Sequence, residues 1–150
     1  MRISEKDRHY KRPESVLVVV YTRSNEILAL RRKKPNYFWQ SVAGSLEWDE
    51  TPEQAAKREL YEEAGLSDTS LMINWHSHNE LLIYPMWRHR YAPGIISNKE
   101  HLFSLKLEAP CSVVLDPREH SEYQWLSLSQ AMMQISSHTN RGAIARLLAD

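Results

Sequence analysis

Residues 44–66 read GSLEWDETPEQAAKRELYEEAGL, and this stretch decides how the rest of the chain is read. Besides Asp49 it carries Glu47, Glu50, Glu53, Glu59, Glu62 and Glu63, between a clear helix start and a clear stop. Thr51 can cap a helix with its side-chain oxygen, Pro52 suits the first helical position, and Gln54 completes a capping box. Gly65 marks the end, because glycine adopts the left-handed conformation at little cost. The spacing predicts a helix over 52–64. Residues on a helix advance by about 100° each, so Glu59 and Glu63 stand on one face with Glu62 at its edge. Ala56, Leu60 and Ala64 form an adjoining apolar stripe that faces a core.

Carboxylates gathered near a helix end repel one another, and Lys57 and Arg58 are the only cations nearby in the sequence. Two readings follow: a solvated acidic face, or a set of hard oxygen ligands for a divalent ion such as Mg2+ or Mn2+. The glycine-led loop before the helix and the Arg58-Glu59 pair on the same face favour the ion.

The whole chain, 150 residues long, is 42% hydrophobic and 25% charged, which describes one domain able to bury a core. Formal net charge is zero, so no global field points to nucleic acid or membrane as a partner. The lone Cys111 excludes an internal disulfide and fits a reducing cytoplasm. No N-terminal apolar run resembles a signal peptide, and no segment approaches the length needed to span a bilayer. A soluble cytoplasmic protein is expected.

Working outward, residues 1–9 are polar and read as a frayed end. Val16–Tyr21 is a β-branched run typical of a buried strand, and Ile27–Arg32 follows after a turn at 23–25, so the two predict a hairpin. Arg31 at that strand end is either solvated or a phosphate contact, since a guanidinium meets phosphate oxygens through two donors. The aromatic and then small residues of 36–45 lead into the acidic stretch and allow close approach to the backbone. Residues 69–84 suggest one or two strands. His76 and His78 would share a strand face, but two histidines without cysteine support do not make a zinc site. WRHRYAPG at 87–94 reads as a rim, or as a lip that stacks on a heterocycle and meets phosphate charge. Strands are predicted at 101–107 and 122–127, and a short one at 111–115. A helix is predicted at 130–135, capped by Ser127 or Ser129. A last amphipathic helix is predicted after an Asn140 cap, with Ile144, Leu147 and Leu148 inward. The order of elements gives an α+β domain with a mixed sheet covered by helices.

Gly44, Glu50, Arg58, Glu59, Leu60, Glu62, Glu63, Gly65 and Leu66 occupy every specified position of the signature of the Nudix hydrolases, a family this chain resembles. Asp49 stands where many members have a second glycine, a position the signature leaves free. The resemblance implies the Nudix α/β/α sandwich over essentially the whole chain, and hydrolysis of a nucleoside diphosphate linked to another moiety. By position in the signature, Glu59 and Glu63 would be the principal ligands of Mg2+, or of Mn2+ in its place. Glu62 would be a further ligand or a water-orienting carboxylate, and the Gly44 carbonyl would contribute. Arg58 would pair with Glu50 and hold the loop against the helix. Glu47 is a possible extra ligand outside the signature.

Further matches lie outside it: YKRP at 10–13, FWQS at 38–41, RHRYAPG at 88–94, and EH with YxW over 119–125. These resemble the branch of the family that releases pyrophosphate from dihydroneopterin triphosphate. That resemblance implies a metal-ligand role for Glu119, and substrate contacts at Lys11, Arg31 and Ala43. Threonine is usual where Ala43 stands, so only backbone contact remains there. The expected partner is a small-molecule triphosphate, neither nucleic acid nor membrane. Two alternatives stay open: a nucleoside triphosphate pyrophosphatase acting on dATP, and a catalytically silent nucleotide-binding module. Intact Glu59, Glu62 and Glu63 speak against the silent module. RNA decapping has little electrostatic footing in a neutral chain.

Overall fold

The structure, a computed structural model, describes residues 8–148. Residues 1–7 of the expected frayed end therefore lie outside the described residues. The strand β1, Glu14–Thr22, is the centre of the molecule. Val16, Leu17, Val18, Val19 and Val20 are all buried, because β1 is covered on both faces and paired on both edges. Along one edge it runs parallel to β6, Ser97–Leu107, over its full length. Its other edge is shared. It pairs antiparallel with β4, Val42–Ser45, over Ser15–Val18. Beyond that it meets β2, Ile27–Arg32, at Tyr21↔Ile27. The expected hairpin thus exists at its turn, but β1 and β2 splay apart after one register pair and β4 fills the gap.

β3, Trp39–Gln40, and β7, His120–Leu126, both pair with β2, and β5, Met72–Leu82, closes the far side against β6. The seven-stranded mixed sheet has the order β3-β2-β1-β6-β5, with β4 on β1 and β7 on β2. The helix α1, Pro52–Ala64, covers the face carrying Val16, Val18, Val20, Leu28 and Leu30, through Ala55, Ala56, Leu60 and Ala64. The helices α2, Leu128–Gln134, and α3, His138–Leu148, cover the opposite face around Leu17, Val19, Ile27 and Ala29. This is the expected α/β/α sandwich, with the alternation of β1 feeding two cores.

α1 begins and ends where its local chemistry dictates. Thr51 Oγ1 accepts the Gln54 amide at 3.2 Å, and Gln54 Oε1 accepts the Thr51 amide at 2.9 Å. Such a cap contributes about 1 kcal/mol. Gly65 stops the helix at φ 69°, and a Cβ there would lie 2.9 Å from Val114 Cβ, so conformation and space both require glycine.

Several local expectations are corrected. Residues 111–115 form no strand. Val114 instead donates its amide to Ala64 O at 3.1 Å, so this segment satisfies the end of α1 rather than a sheet. A 3-10 helix, Pro85–Arg90, leads into the rim at 87–94. α2 starts two residues early, at the Ser127 cap. Asn140 lies inside α3. Ser137 Oγ accepts the Asn140 amide at 3.3 Å, while the Asn140 side chain clamps Ser41 through its Oδ1 to the amide at 2.8 Å and its Nδ2 to Oγ at 2.9 Å. His76 sits at φ 51° in a bulge between Asn74 and His78, and both histidines are exposed on either side of half-buried Ser77. Among the described residues no helix is long and apolar enough to cross a membrane.

Candidate active site

The acidic face of α1 does not point to solvent. Glu59 is 9% and Glu63 is 6% exposed, while Ala56 and Leu60 beside them fasten the helix to the core. Glu63 Oε2 accepts the Ala43 amide from β4 at 3.0 Å. Glu59 lies over Gly44, where an added Cβ would fall 2.3 Å from the Glu59 carboxyl carbon. Only glycine permits that approach. Arg58 braces the group from the side. It forks onto Glu50, with Nε to Oε2 and Nη2 to Oε1 both at 2.8 Å. It also donates to Glu59 Oε1 at 2.8 Å, Glu62 Oε2 at 3.2 Å and Ser45 O at 3.0 Å. The expected Arg58-Glu50 pair is thus present and ties the 44–50 loop to the helix.

Burial dominates the electrostatics. It pushes the Glu59 carboxyl up to about 7 against the pull of Arg58. Burial and then the charge of Glu59 push Glu63 well above the usual carboxylate range, with the Ala43 amide pulling down. Glu50 goes the other way, held low by its Arg58 hydrogen bonds. His120, packed 3.9 Å from Glu63 Oε1, is lowered to about 4 by burial and then by Arg32, so its ring is neutral.

A cavity of about 840 Å³ opens beside this helix. It brings together Glu59, Glu62, Glu63, Gly44, Ala43 and Lys11, which come from three separate regions of sequence. Glu119 reaches it from the turn before β7, where its amide bonds Asp116 O at 3.0 Å. Burial, then Arg90 and Arg32, lower the Lys11 ammonium, and Glu119 and Glu59 partly restore it. Arg31 stands outside. It donates to Glu122 Oε1 at 2.9 Å and to Asn36 O, and successive strand residues face opposite ways. The cation that lines the cavity from this strand end is Arg32, stacked 4.7 Å over the Trp87 ring. Of the two arginines that end this strand, Arg32 lines the cavity and Arg31 does not. Glu47 is exposed and does not line the cavity either. From the stretch 87–94, Trp87, Arg90 and Tyr91 line the cavity, and Trp87 meets Phe38 and Tyr84 edge to face at 5.5 and 5.1 Å. Arg32, Asp116, Asn98 and Glu100 also line it, and no local sequence signal singles out Asn98 or Glu100.

Among the described residues no three His, Cys, Asp or Glu side chains converge closely enough to hold an ion as they stand. The chemistry of the donors nonetheless fits one. Two buried carboxylates share a cavity wall, only Glu59 has a cation on it, and Glu62 and Glu119 stand on the same cavity. Hard oxygen donors short of positive charge suit a divalent cation.

The uncompensated charge sets a pH dependence for the metal-free protein. Glu59, Glu63 and Glu100 have raised carboxyls, so each contributes stability that is full below about 4.5 and is lost as pH rises through the folded value, about 7 for Glu59 and Glu100. His120 acts oppositely; its contribution is full above about 6.5 and is lost as pH falls towards about 4. Three carboxyls outweigh one imidazole. In EDTA, Tm is expected to fall from pH 5.5 to 8 by at least about 3 °C, since one net pKa unit is about 1.4 kcal/mol and each kcal/mol moves Tm by about 2–4 °C. Scanning calorimetry checks this. A Tm that rises across that window contradicts the assigned charges.

The sequence profile described as the NUDIX domain matches residues 11–148. The dihydroneopterin triphosphate diphosphatase of Haemophilus influenzae is 39% identical over 143 residues, 93% of this chain and 89% of that protein. The protein of the same name from Escherichia coli K12 is 40% identical over 147 residues, 95% of this chain and 97% of that one. The solved structure of the E. coli dihydroneopterin triphosphate pyrophosphohydrolase superposes with a TM-score of 0.87 at 39% identity, over 93% of this chain and 97% of that one. With its signature helix, its sandwich and its match over nearly all of its length, this chain belongs to the Nudix hydrolase family.

Proposed function

We infer that this chain hydrolyses dihydroneopterin triphosphate to dihydroneopterin monophosphate and pyrophosphate, a folate-pathway step, with Mg2+ as its working ion and Mn2+ as a substitute. The observation that carries this reading is the near-full-length likeness to two proteins of that name. The cavity adds matching chemistry: carboxylates at one wall, Lys11, Arg32 and Arg90 for phosphate oxygens, and an aromatic rim. A reducing cytoplasm suits the exposed Cys111.

Glu59 and Glu63, with Glu62, Glu119 and the Gly44 carbonyl, would hold the cation. Bound there, it supplies charge neutralisation to the phosphate oxygens and activation of water. The remaining work belongs to the chain. Lys11 and Arg32 orient the triphosphate, and their positive charge grows in value as the site sheds water. Glu62 and Glu119, both exposed and on the cavity, would accept the proton of the attacking water. Water adds to phosphorus, the anhydride P–O bond breaks, and pyrophosphate departs. Ala43 contributes its backbone, whose amide steadies Glu63. Arg58 positions Glu50 and Glu59 and touches no substrate.

The test is a panel of triphosphates with Mg2+, compared by kcat/KM. The pterin triphosphate is expected to exceed dATP by at least about tenfold. A preference for dATP would reassign the chain to nucleotide hydrolysis, and binding without turnover would make it a silent module.

A further inference from the structure

The segment just before and into β1, residues 10–14, joins parts of the site that lie far apart in sequence. Lys11 lines the cavity, and its amide donates to Arg90 O on the cavity rim at 2.9 Å. Arg12, the next residue, does not line the cavity. Its side chain reaches instead to the loop that leads into α1. Arg12 Nη1 donates to the carbonyls of Glu47, Trp48 and Glu50 at 3.0, 3.1 and 3.0 Å, across 35–38 residues of sequence. The loop answers: Trp48 Nε1 donates to Tyr10 O at 3.0 Å, and the Leu46 amide donates to Glu14 O at 2.9 Å.

Arg12 is itself held in place. Its Nε donates to Glu14 Oε2 at 2.7 Å, its Nη2 pairs with the same oxygen, and the side chain is only 19% exposed. The other Glu14 oxygen meets His101 Nε2 of β6 at 3.2 Å, so the sheet sets the aim of the guanidinium. A guanidinium carries five donors in fixed directions, which turns this contact set into a geometric clamp.

Two arginines grip the loop at Glu50. Arg12 takes its carbonyl, and Arg58 takes its carboxylate. Arg58 thereby ties the loop to the helix that carries Glu59 and Glu63. Arg12 ties the same loop to the residue beside Lys11. A staple that served only the loop could sit at many places along it; this one sits one peptide bond from the cavity lysine. We propose that Arg12 is a positioning residue, whose grip on the 47–50 carbonyls sets Lys11 against the carboxylate wall at the separation a bound triphosphate requires. The proposal rests on the triphosphate reading above and goes beyond it, because Arg12 stays outside the cavity and acts through Lys11.

The test is a double-mutant cycle in kcat/KM for dihydroneopterin triphosphate with Mg2+. It compares the wild type, Arg12→Ala, Lys11→Ala and the double variant, with binding of inorganic tripolyphosphate followed in parallel by calorimetry. Arg12→Ala should lower kcat/KM about 10- to 100-fold, the scale of a binding group misplaced by about 1 Å. Tripolyphosphate affinity should fall about tenfold. In the Lys11→Ala background the same substitution should cost less than about threefold in either readout, because the residue it positions is gone. Equal losses with and without Lys11, or a lower Tm with no loss in either readout, overturn the proposal and leave Arg12 as a loop staple. If Arg12→Ala does not fold, judged by its Tm, Arg12→Lys takes its place under the same criteria, since one ammonium cannot serve Glu14 and three carbonyls together. A wild type that binds tripolyphosphate but cleaves no pterin triphosphate would overturn the proposed function, and the tripolyphosphate cycle would still decide the role of Arg12.

Discussion

Glu63→Gln is expected to lower kcat on the order of 10²-fold or more at saturating Mg2+, with the fold intact. The amide oxygen of glutamine can still accept the Ala43 N–H that Glu63 Oε2 accepts at 3.0 Å, and the volume is unchanged. What disappears is a negative charge that is almost wholly buried on a cavity wall beside Glu59. In the metal-free protein that charge is repelled by Glu59 and by its own desolvation. The variant should therefore melt higher than the wild type in EDTA at pH 8, even as it loses activity. This opposition separates a charge kept for function from one kept for structure. Near-normal turnover, or a lower Tm in EDTA, would contradict a metal-holding role for Glu63.

Arg58→Ala is expected to cost about 3–5 kcal/mol of stability and to abolish most activity. Five hydrogen bonds leave with the guanidinium: two to Glu50 and one each to Glu59, Glu62 and Ser45 O. The side chains of Glu50 and Glu59 are only 12% and 11% exposed, so both carboxylates would stay buried without their partner. Breaking one half of such a pair is far worse than never having it, because the orphaned charge keeps its desolvation cost. Arg58→Lys should recover little, since a single ammonium cannot fork onto Glu50 while reaching Ser45. Thermal denaturation measures the loss. A Tm within about 2 °C of the wild type in Arg58→Ala would show that the loop is held by other means.

Much of this was legible in the chain because its causes are local. The α1 helix declares both ends through Thr51, Gln54 and Gly65, and its acidic face follows from a fixed rotation per residue. The two-sided burial of Val16–Val20 also reads directly from a β-branched run. Long-range pairing does not read so directly. Nothing near β1 announces that its full-length partner is the parallel β6, eighty-odd residues away, or that β4 displaces β2 from most of its other edge. Arg31 and Arg32 differ only in parity, and the register shift between them against β7 hides which one faces the cavity. Residues 111–115 look extended, yet the Val114 amide serves the end of α1 and not a sheet. Asn98 and Glu100 lie where β6 begins, in the polar stretch SNKE, which has no apolar alternation to mark a strand.

The most direct measurement is product analysis by phosphorus NMR after incubating the purified chain with dihydroneopterin triphosphate and Mg2+, with an EDTA control. Pyrophosphate and dihydroneopterin monophosphate should appear in equal amounts, and neither should form in EDTA. Unchanged substrate in the presence of Mg2+, or orthophosphate with no pyrophosphate, would contradict a pyrophosphohydrolase built on Glu59 and Glu63.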